Sequence, residues 1–511
     1  MTRLIERVPV YVLWLALLPV VTLLASNLGQ VRPTIGYRAL ALSALLALIL
    51  LVLFRLILGD WSRAGLLTSL GLLLFFSYGH VYNALRSVEL AGTTLGRHRF
   101  LLPAWMVLGA VGAWLIWKRA ADAPGLTTAL TLGLGAALLI PVVQIVTFQI
   151  GRNSAQAADL PALELQAGEP LPDIYYIVLD AYTSGSVLRD TYELDNEPFL
   201  ARLRALGFYV ADCSQSNYAQ TELSMVSTLN MVYLSELIDE SNPDRSQLWP
   251  LLRHNAVRLL LEDLGYETVG FETGYYWSEW EDADLYLAPD RGPLEGMSAF
   301  EATLLRSTAA WALIDALPEL PAFLGRDLDR SADAHSARLL YVFEQLGQLT
   351  SGAGPKFVFA HIVSPHRPFV FDAQGNPTDD DYDWAPSDIG LDRYKAGYRE
   401  QVQFLNGRME QILGYIIENS AVPPIIVIQG DHGPEEGSGS DRMSILNAFY
   451  LGGAEPKESY PTITPVNTFR MVLGDRFDAD LPLIEDASYF SSYNNPFDYS
   501  TVTTECFGET N

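Results

Sequence analysis

Three apolar runs in this sequence each end on residues able to do chemistry. Ile174–Leu179 runs into Asp180, Phe357–Val363 into Ser364-Pro365-His366-Arg367-Pro368, and Ile425–Gln429 into Gly430-Asp431-His432-Gly433. Carboxylate oxygens with an imidazole form a donor set suited to manganese or zinc. Candidate hydroxyls stand in another segment. Thr221 follows the polar run Ser214–Gln220 and opens an apolar helical stretch reaching Leu234. A hydroxyl at a helix N-terminus faces unpaired amides and the positive end of the dipole, which favours an incoming phosphate. Ser224, one turn further on, is the competing hydroxyl. Taken singly, Asp180 also reads as a turn or cap residue, Thr221 as an N-cap and His366 as a loop histidine stiffened by its flanking prolines. Their convergence on strand ends is the signal, because open α/β sheets bind ligands at the carboxyl ends of their strands.

The elements that must position them are legible as well. Unbroken apolar runs at Ile174–Leu179, Glu267–Phe271, Phe357–Val363 and Ile425–Gln429 fit strands buried on both faces of a parallel sheet. Amphipathic stretches at Asn196–Leu206, Ala256–Leu264, Ala334–Leu349 and Leu391–Glu418 fall around them and fit helices. Strands and helices in alternation imply a layered α/β domain.

The first 150 residues are of another kind. Val8–Ser26, Tyr37–Leu58, Ala64–Leu85, Phe100–Trp117 and Gly125–Gln149 reach or approach the roughly 20 apolar residues that cross a bilayer. The expected organisation is a five-helix transmembrane domain over 1–150, a linker over 151–172 and a catalytic domain over 173–511. The 511-residue chain carries a formal charge of −27, and residues 1–150 hold 11 Lys and Arg against 4 Asp and Glu, so the acidity lies in the remainder. Such a domain repels a phosphate backbone, which excludes nucleic acid as a natural partner. Arg3, Arg7, Arg55, Arg63, Lys118 and Arg119 fall on one side of the membrane and Arg32, Arg38, Arg86, Arg97 and Arg99 on the other. That bias favours a cytoplasmic N-terminus and, across five spans, an extracytoplasmic catalytic domain. His80 and His98 have no carboxylate near them in sequence and read as packing or interfacial residues. The two cysteines, Cys213 and Cys506, suit either one bridge or two buried thiols.

The strand ending in an acid, the Thr-containing segment about forty residues later, the Pro-His-Arg-Pro stretch and the strand ending in Gly-Asp-His-Gly resemble the alkaline phosphatase and sulfatase superfamily. With the membrane spans they resemble its lipoteichoic acid synthase and phosphoethanolamine transferase branch. The resemblance implies an alkaline-phosphatase-like (sulfatase-like) α/β/α domain in which Asp180, Thr221, Asp431 and His432 hold one divalent ion, manganese or zinc. It implies that Thr221 is the nucleophile, that His366 contacts the transferring phosphoryl group or leaving group, and that Arg367 adds a phosphate contact. It also sets Trp277 and Trp280, in the run Gly270–Trp280, beside the substrate headgroup, although packing explains these aromatics equally well. His254, His335 and His361 have no evident partner in sequence, and the multi-histidine pattern of two-metal members is missing. Cys213 begins Cys-Ser-Gln-Ser-Asn and lacks the Pro and Arg of the sulfatase Cys-x-Pro-x-Arg motif. The implied activity is metal-dependent transfer of a phospho-alcohol group, phosphoglycerol or phosphoethanolamine, from a membrane lipid to a cell-envelope glycan or lipid acceptor through phosphothreonine. Hydrolysis of phosphate or sulfate esters, and a non-catalytic envelope-binding role, are the alternatives.

Overall fold

The computed structural model describes residues 9–28, 31–85, 89–90, 93–94, 97–119, 124–154, 165, 168, 170–289, 298–312, 330–352, 354–378, 390–436 and 439–502. Most of the expected linker, 151–172, lies outside them. The chain divides into two compact units, Met1–Asn153 with Arg291–Ser331, and Ser154–Asp290 with Ala332–Asn511.

The first unit contains five apolar helices: α1 (Tyr11–Ser26), α2 (Tyr37–Leu58), α3 (Trp61–Leu85), α4 (His98–Arg119) and α5 (Pro124–Ser154). Four of the five are long and apolar enough to cross a membrane. At 1.5 Å per residue the 16 residues of α1 span about 24 Å, short of a hydrocarbon core about 30 Å thick. α1 is instead the helix the others bury: Tyr11, Val12 and Ala16 pack with Ala47, Leu51, Ala64, Leu72 and Phe76. Large apolar side chains such as Leu45, Leu56, Met106, Leu132 and Ile140 point outward, which in water would be an anomaly and in lipid is the expected surface. His98 stacks on Tyr82 at 4.3 Å and its Nδ1 lies 2.8 Å from the Tyr78 hydroxyl, a packing role as expected.

Hydropathy places one boundary near residue 150, but the structure returns a later segment to the first unit. Within it Ser298 and Glu301 form a capping box, each side chain meeting the other's backbone N–H, at the start of a helix spanning Ala299–Arg306. Phe300 and Leu304, four residues apart on one face of that helix, bury against Val20, Leu24 and Ala39, and Arg38 grips the Glu301 carboxylate through Nε and Nη2. The Gly79 N–H donates to the Ser307 carbonyl at 3.0 Å and the Ala309 N–H to that of Phe75 at 2.8 Å. Eight helical residues carry no hydropathy signal of their own, so this docking is visible only in three dimensions.

The second unit is a seven-stranded mixed sheet between two helical layers. Its strands are β1 (Ile174–Leu179), β2 (Tyr209–Val210), β3 (Glu267–Phe271), β4 (Leu285–Leu287), β5 (Lys356–Ile362), β6 (Ile425–Gly430) and β7 (Asn447–Leu451), in spatial order β2-β7-β6-β1-β5-β3-β4. β6, β1, β5, β3 and β4 run parallel, and β7 is antiparallel to both β6 and β2. Alternate side chains of β1 enter different cores. Tyr175, Ile177 and Leu179 meet Phe199, Phe343, Leu405 and Leu413 from the helices Glu197–Ala205, Arg330–Gln348 and Leu391–Asn419. Ile174, Tyr176 and Val178 meet Val226, Leu229, Val257 and Phe469 from the helices Thr221–Asn230, Ala256–Asp263 and Thr468–Phe477. The four anticipated strands and four anticipated helices all form.

A Cβ at Gly79 would lie 2.2 Å from the Arg306 carbonyl oxygen, whereas one at Gly71 on the same helix meets nothing within 4 Å. Gly79→Ala should therefore speed tryptic cleavage at Arg306 in detergent-purified protein by about tenfold, from the usual cost of overpacking. Gly71→Ala should leave the cleavage rate unchanged.

Candidate metal centre and active site

Strand register brings the two carboxylates together. Leu179 on β1 lies opposite Gly430 on β6, so Asp180 and Asp431 leave neighbouring strand ends side by side. On the other flank His361 of β5 lies opposite Val178, and the two-residue period places it on the same face as Asp180. Its Nε2 sits 3.2 Å from Asp180 Oδ2. Sequence reading missed this pairing, because 181 positions separate the partners and only the parallel ladder joins them.

His432 completes the cluster. Its Nδ1 lies 2.8 Å from the Gly433 carbonyl, which can only accept, so Nδ1 carries the proton and Nε2 of the neutral ring is bare. Burial, then Arg442, hold the His432 pKa below its ordinary value, which keeps the ring neutral. Nε2 lies 3.3 Å from Asp431 Oδ2 and 3.9 Å from Asp180 Oδ1, and accepts from the Thr221 hydroxyl at 2.9 Å. One ligand atom from each of Asp180, Asp431 and His432 falls within 4.8 Å of the others, and all three residues are buried. Asp180 Oδ1 and Asp431 Oδ2 are buried without a hydrogen-bond partner. Two orphaned carboxylate oxygens beside a bare imidazole nitrogen are costly unless a cation joins them, so the donor set fits a divalent ion.

Thr221 is the first residue of its helix and Gln220 occupies the N-cap position. The hydroxyl is therefore not spent on capping and turns to His432. Ser224 does not share the centre. It is buried, with its hydroxyl 3.1 Å from that of Ser216, which donates in turn to the Asp431 carbonyl. That chain supports the backbone beneath Asp431 and leaves Thr221, half-buried, as the more accessible hydroxyl of the pair.

The glycines of Gly-Asp-His-Gly are there for close approach. A Cβ on Gly430 would lie 2.2 Å from the Tyr182 carbonyl oxygen, and one on Gly433 2.1 Å from that of Asp441. Gly433 thus admits the short helix Gly439–Met443, whose Arg442 carbonyl accepts the Gly433 N–H at 2.6 Å. Arg442 then reaches the His432 Nε2 at 3.2 Å through Nη2. Sequence reading did not single out Arg442, since nothing in its neighbourhood marks it.

His366 lies beside the same carboxylate. Its N–H donates to the Asp180 carbonyl at 2.9 Å, and its ring approaches Glu435 at 3.5 Å. Burial opposes its charge, but Asp180 and Glu435 outweigh burial and hold its pKa up at about 9. Reciprocally, burial would raise the Asp180 carboxyl, and His366, His361 and His432 keep it well below the usual carboxylate range. Arg367 forms an ion pair with Glu435 and lies 5.6 Å from the Tyr394 ring centre. Glu435 is a further participant that sequence reading passed over, though it stands only two residues beyond Gly433.

The aromatic run divides. Trp280 is a core residue, 1% exposed, stacked on Phe359 with centroids 4.5 Å apart and donating its indole N–H to the Leu252 carbonyl. It has no face left for a headgroup. Trp277 lies nearer the site, its ring 6.2 Å from that of His361. Arg338 comes to the same edge, its guanidinium carbon 2.9 Å from where a Cβ on Gly274 would stand. One turn earlier, His335 is buried and neutral, its pKa pushed down to about 3 by burial and then by Arg338 and His366. His254 is exposed and faces Asp282 at 3.6 Å. Cys213 is disulfide-bonded, which leaves no thiol there for sulfatase-type conversion; Cys506 lies outside the described residues.

The sheet and site together define a three-layer α/β domain with a cation-competent centre of two carboxylates, one imidazole and one hydroxyl at its strand ends, in a chain that also carries membrane-spanning helices. No family model and no curated protein matches the sequence. Among solved structures the chain is similar to the integral membrane lipooligosaccharide phosphoethanolamine transferase A (EptA) from Neisseria meningitidis, at 14% identity over 93% of this chain and 96% of that one, with a TM-score of 0.41. It is similar to the C-terminal periplasmic domain of EcEptC from Escherichia coli in complex with Zn, at 11% identity over 66% and 94%, TM-score 0.41. It is also similar to the phosphonate monoester hydrolase of Agrobacterium radiobacter, at 12% identity over 63% and 80%, TM-score 0.38.

Because Gly433 admits Asp441 at backbone distance, Gly433→Ala should displace the 432–433 turn and with it the Nδ1–H bond that orients His432. Zinc affinity, read by chelator competition, should fall by about 10- to 100-fold, as for other changes behind a ligand.

Proposed function

We propose that this chain is a membrane-anchored, divalent-metal-dependent phosphotransferase of the sulfatase-like kind, with Thr221 as its nucleophile. The observation that carries this reading is the Thr221 hydroxyl 2.9 Å from His432 Nε2, in a cluster where Asp180 and Asp431 each leave one buried oxygen unpaired. Asp180, Asp431, His432 and Thr221 would hold the ion, manganese or zinc. A cation there lowers the hydroxyl's pKa and neutralises charge on phosphoryl oxygens.

The chain's own groups supply the rest. Thr221 would give up its hydroxyl proton to solvent before the first step, in which its Oγ1 attacks the phosphorus of a membrane lipid's phosphodiester, the Oγ1–P bond forms, and the P–O bond to diacylglycerol breaks. His366, whose ring faces Glu435 at 3.5 Å, gives its proton to the departing oxygen. In the second step a hydroxyl of a glycan or lipid acceptor attacks the phosphothreonine, Oγ1 leaves, and the acceptor's proton passes to the now neutral His366. Phosphoglycerol or phosphoethanolamine is the group transferred. Arg367 is tied to Glu435, so its part is to fix the loop that holds His366.

The membrane helices favour a lipid donor, since anchoring in the donor's own bilayer concentrates it beside the enzyme. An extracytoplasmic catalytic unit agrees with the distribution of basic residues and with a disulfide at Cys213, a bond that persists in oxidising compartments. Four helices among the described residues are long and apolar enough to span.

Two measurements test this. The purified protein should contain about one tightly held ion, and Asp431→Ala combined with His432→Ala should lose it. With a lipid donor and no acceptor, wild-type protein should gain the mass of one phospho-alcohol group on the peptide carrying Thr221. Thr221→Ala should gain none and lose at least about a thousandfold in transfer rate, the scale of removing a nucleophile. Full transfer by Thr221→Ala would end the nucleophile assignment, and water as the sole effective acceptor would make the enzyme a hydrolase.

A further inference from the structure

Arg442 is pinned in a way that a mere surface arginine is not. Its Nε donates to the Ala219 carbonyl at 2.8 Å, its Nη1 to the Gly433 carbonyl at 2.8 Å, and its Nη2 lies 3.2 Å from His432 Nε2. Its backbone is held on both sides, the Arg442 carbonyl by the Gly433 N–H at 2.6 Å and the Met443 carbonyl by the Ser216 N–H at 2.7 Å. Two of the five guanidinium donors are thus spent on carbonyls that fix the plane, and the Nη2 edge is aimed at the nitrogen that Thr221 also reaches. Among the described residues no carboxylate lies within ion-pair distance of it, whereas the neighbouring Arg367 is neutralised by Glu435. A guanidinium held rigid, without a counter-carboxylate, next to a nucleophilic hydroxyl has the charge and planar fork that phosphoryl oxygens require.

We propose that Arg442 is a substrate-contacting residue, whose guanidinium binds a non-bridging oxygen of the phosphoryl group carried to and from Thr221. This rests on the reading of Thr221 as nucleophile. The fixed plane avoids reorganisation when negative charge gathers on those oxygens, so the contact stabilises both transfer steps alike. The competing possibility is that Arg442 only braces residues 219–221 against 432–433, and it makes different demands.

The test uses the full-length protein in detergent, loaded with zinc, and inorganic phosphate as the probe. Metal content and melting temperature are measured alongside phosphate affinity for Arg442→Gln and Arg442→Lys in a Thr221→Ala background and for the Thr221→Ala parent. The expected result is unchanged metal content and melting with phosphate affinity reduced about 10- to 100-fold in Arg442→Gln, the scale of a hydrogen bond to a charged group. Arg442→Lys, which keeps the charge but not the fork, should recover part of that loss. Unaltered phosphate affinity in Arg442→Gln would overturn the proposal. So would loss of zinc or a lowered melting temperature in both variants in proportion to the loss of phosphate, which is what a brace predicts. A parent that binds zinc but no phosphate, or no zinc at all, would instead bring down the underlying reading of the site, and the two failures are distinguishable.

Discussion

Two buried carboxylates on adjacent strands set the terms for the rest of the catalytic unit. Asp180 and Asp431 are neighbours because β1 and β6 pair in parallel, with Leu179 opposite Gly430. Like charges so placed repel, and burial removes the water that would screen them. Each carboxylate is therefore met by compensating groups: Asp180 by His361 and the charged His366, Asp431 by the Ala181 N–H at 2.9 Å. One oxygen of each is still left unpaired. Hydrogen bonding within the chain satisfies the outer halves of the pair and leaves the inner halves to a cation.

The surrounding structure reads as a set of devices for keeping that geometry stiff. Gly430 and Gly433 allow carbonyl groups within distances that any Cβ would forbid, so the turn between them is clamped by the segments Tyr182 and Asp441–Arg442. The Gly433 carbonyl orients His432, and Ser216 ties the Asp431 backbone to the start of the helix carrying Thr221. Positive charge is then distributed unevenly around the centre. Arg367 is neutralised by Glu435 and rests against Tyr394, while among the described residues Arg442 is restrained by neutral carbonyls and the imidazole. Arginine type alone does not separate these two roles; the partners do.

The membrane unit follows a different logic. Its outward apolar side chains suit a lipid solvent, and its buried ones are concentrated on α1, the shortest of the five helices. A later segment, Arg291–Ser331, belongs with these helices although the residues before and after it in sequence belong to the other unit. Its helix is held by both a hydrophobic pair and an Arg–carboxylate fork, Phe300 with Leu304 and Arg38 with Glu301. Apolar contact gives the bulk of such docking, and the fork fixes its register.

Sequence alone determined the elements and the chemistry available. Runs such as Ile425–Gln429 are legible because burial on both faces of a parallel strand leaves no room for polar alternation, and long lipid-facing helices advertise themselves by composition. Asp180, Asp431 and His432 stood out because they end apolar runs, where open α/β sheets bind ligands, and Thr221 because the family resemblance falls on its segment. Short strands were harder to see: β2 and β4 have two and three residues, too few for a period to register. Tertiary structure decided which candidates meet. It sent Trp280 and Ser224 into the interior, kept Thr221 at the centre, and recruited His361, Glu435 and Arg442, none of which carries a local signal. The physical reason is that a side chain's role is set by strand register and by close approaches between distant backbone segments, and neither quantity exists until the sheet has formed.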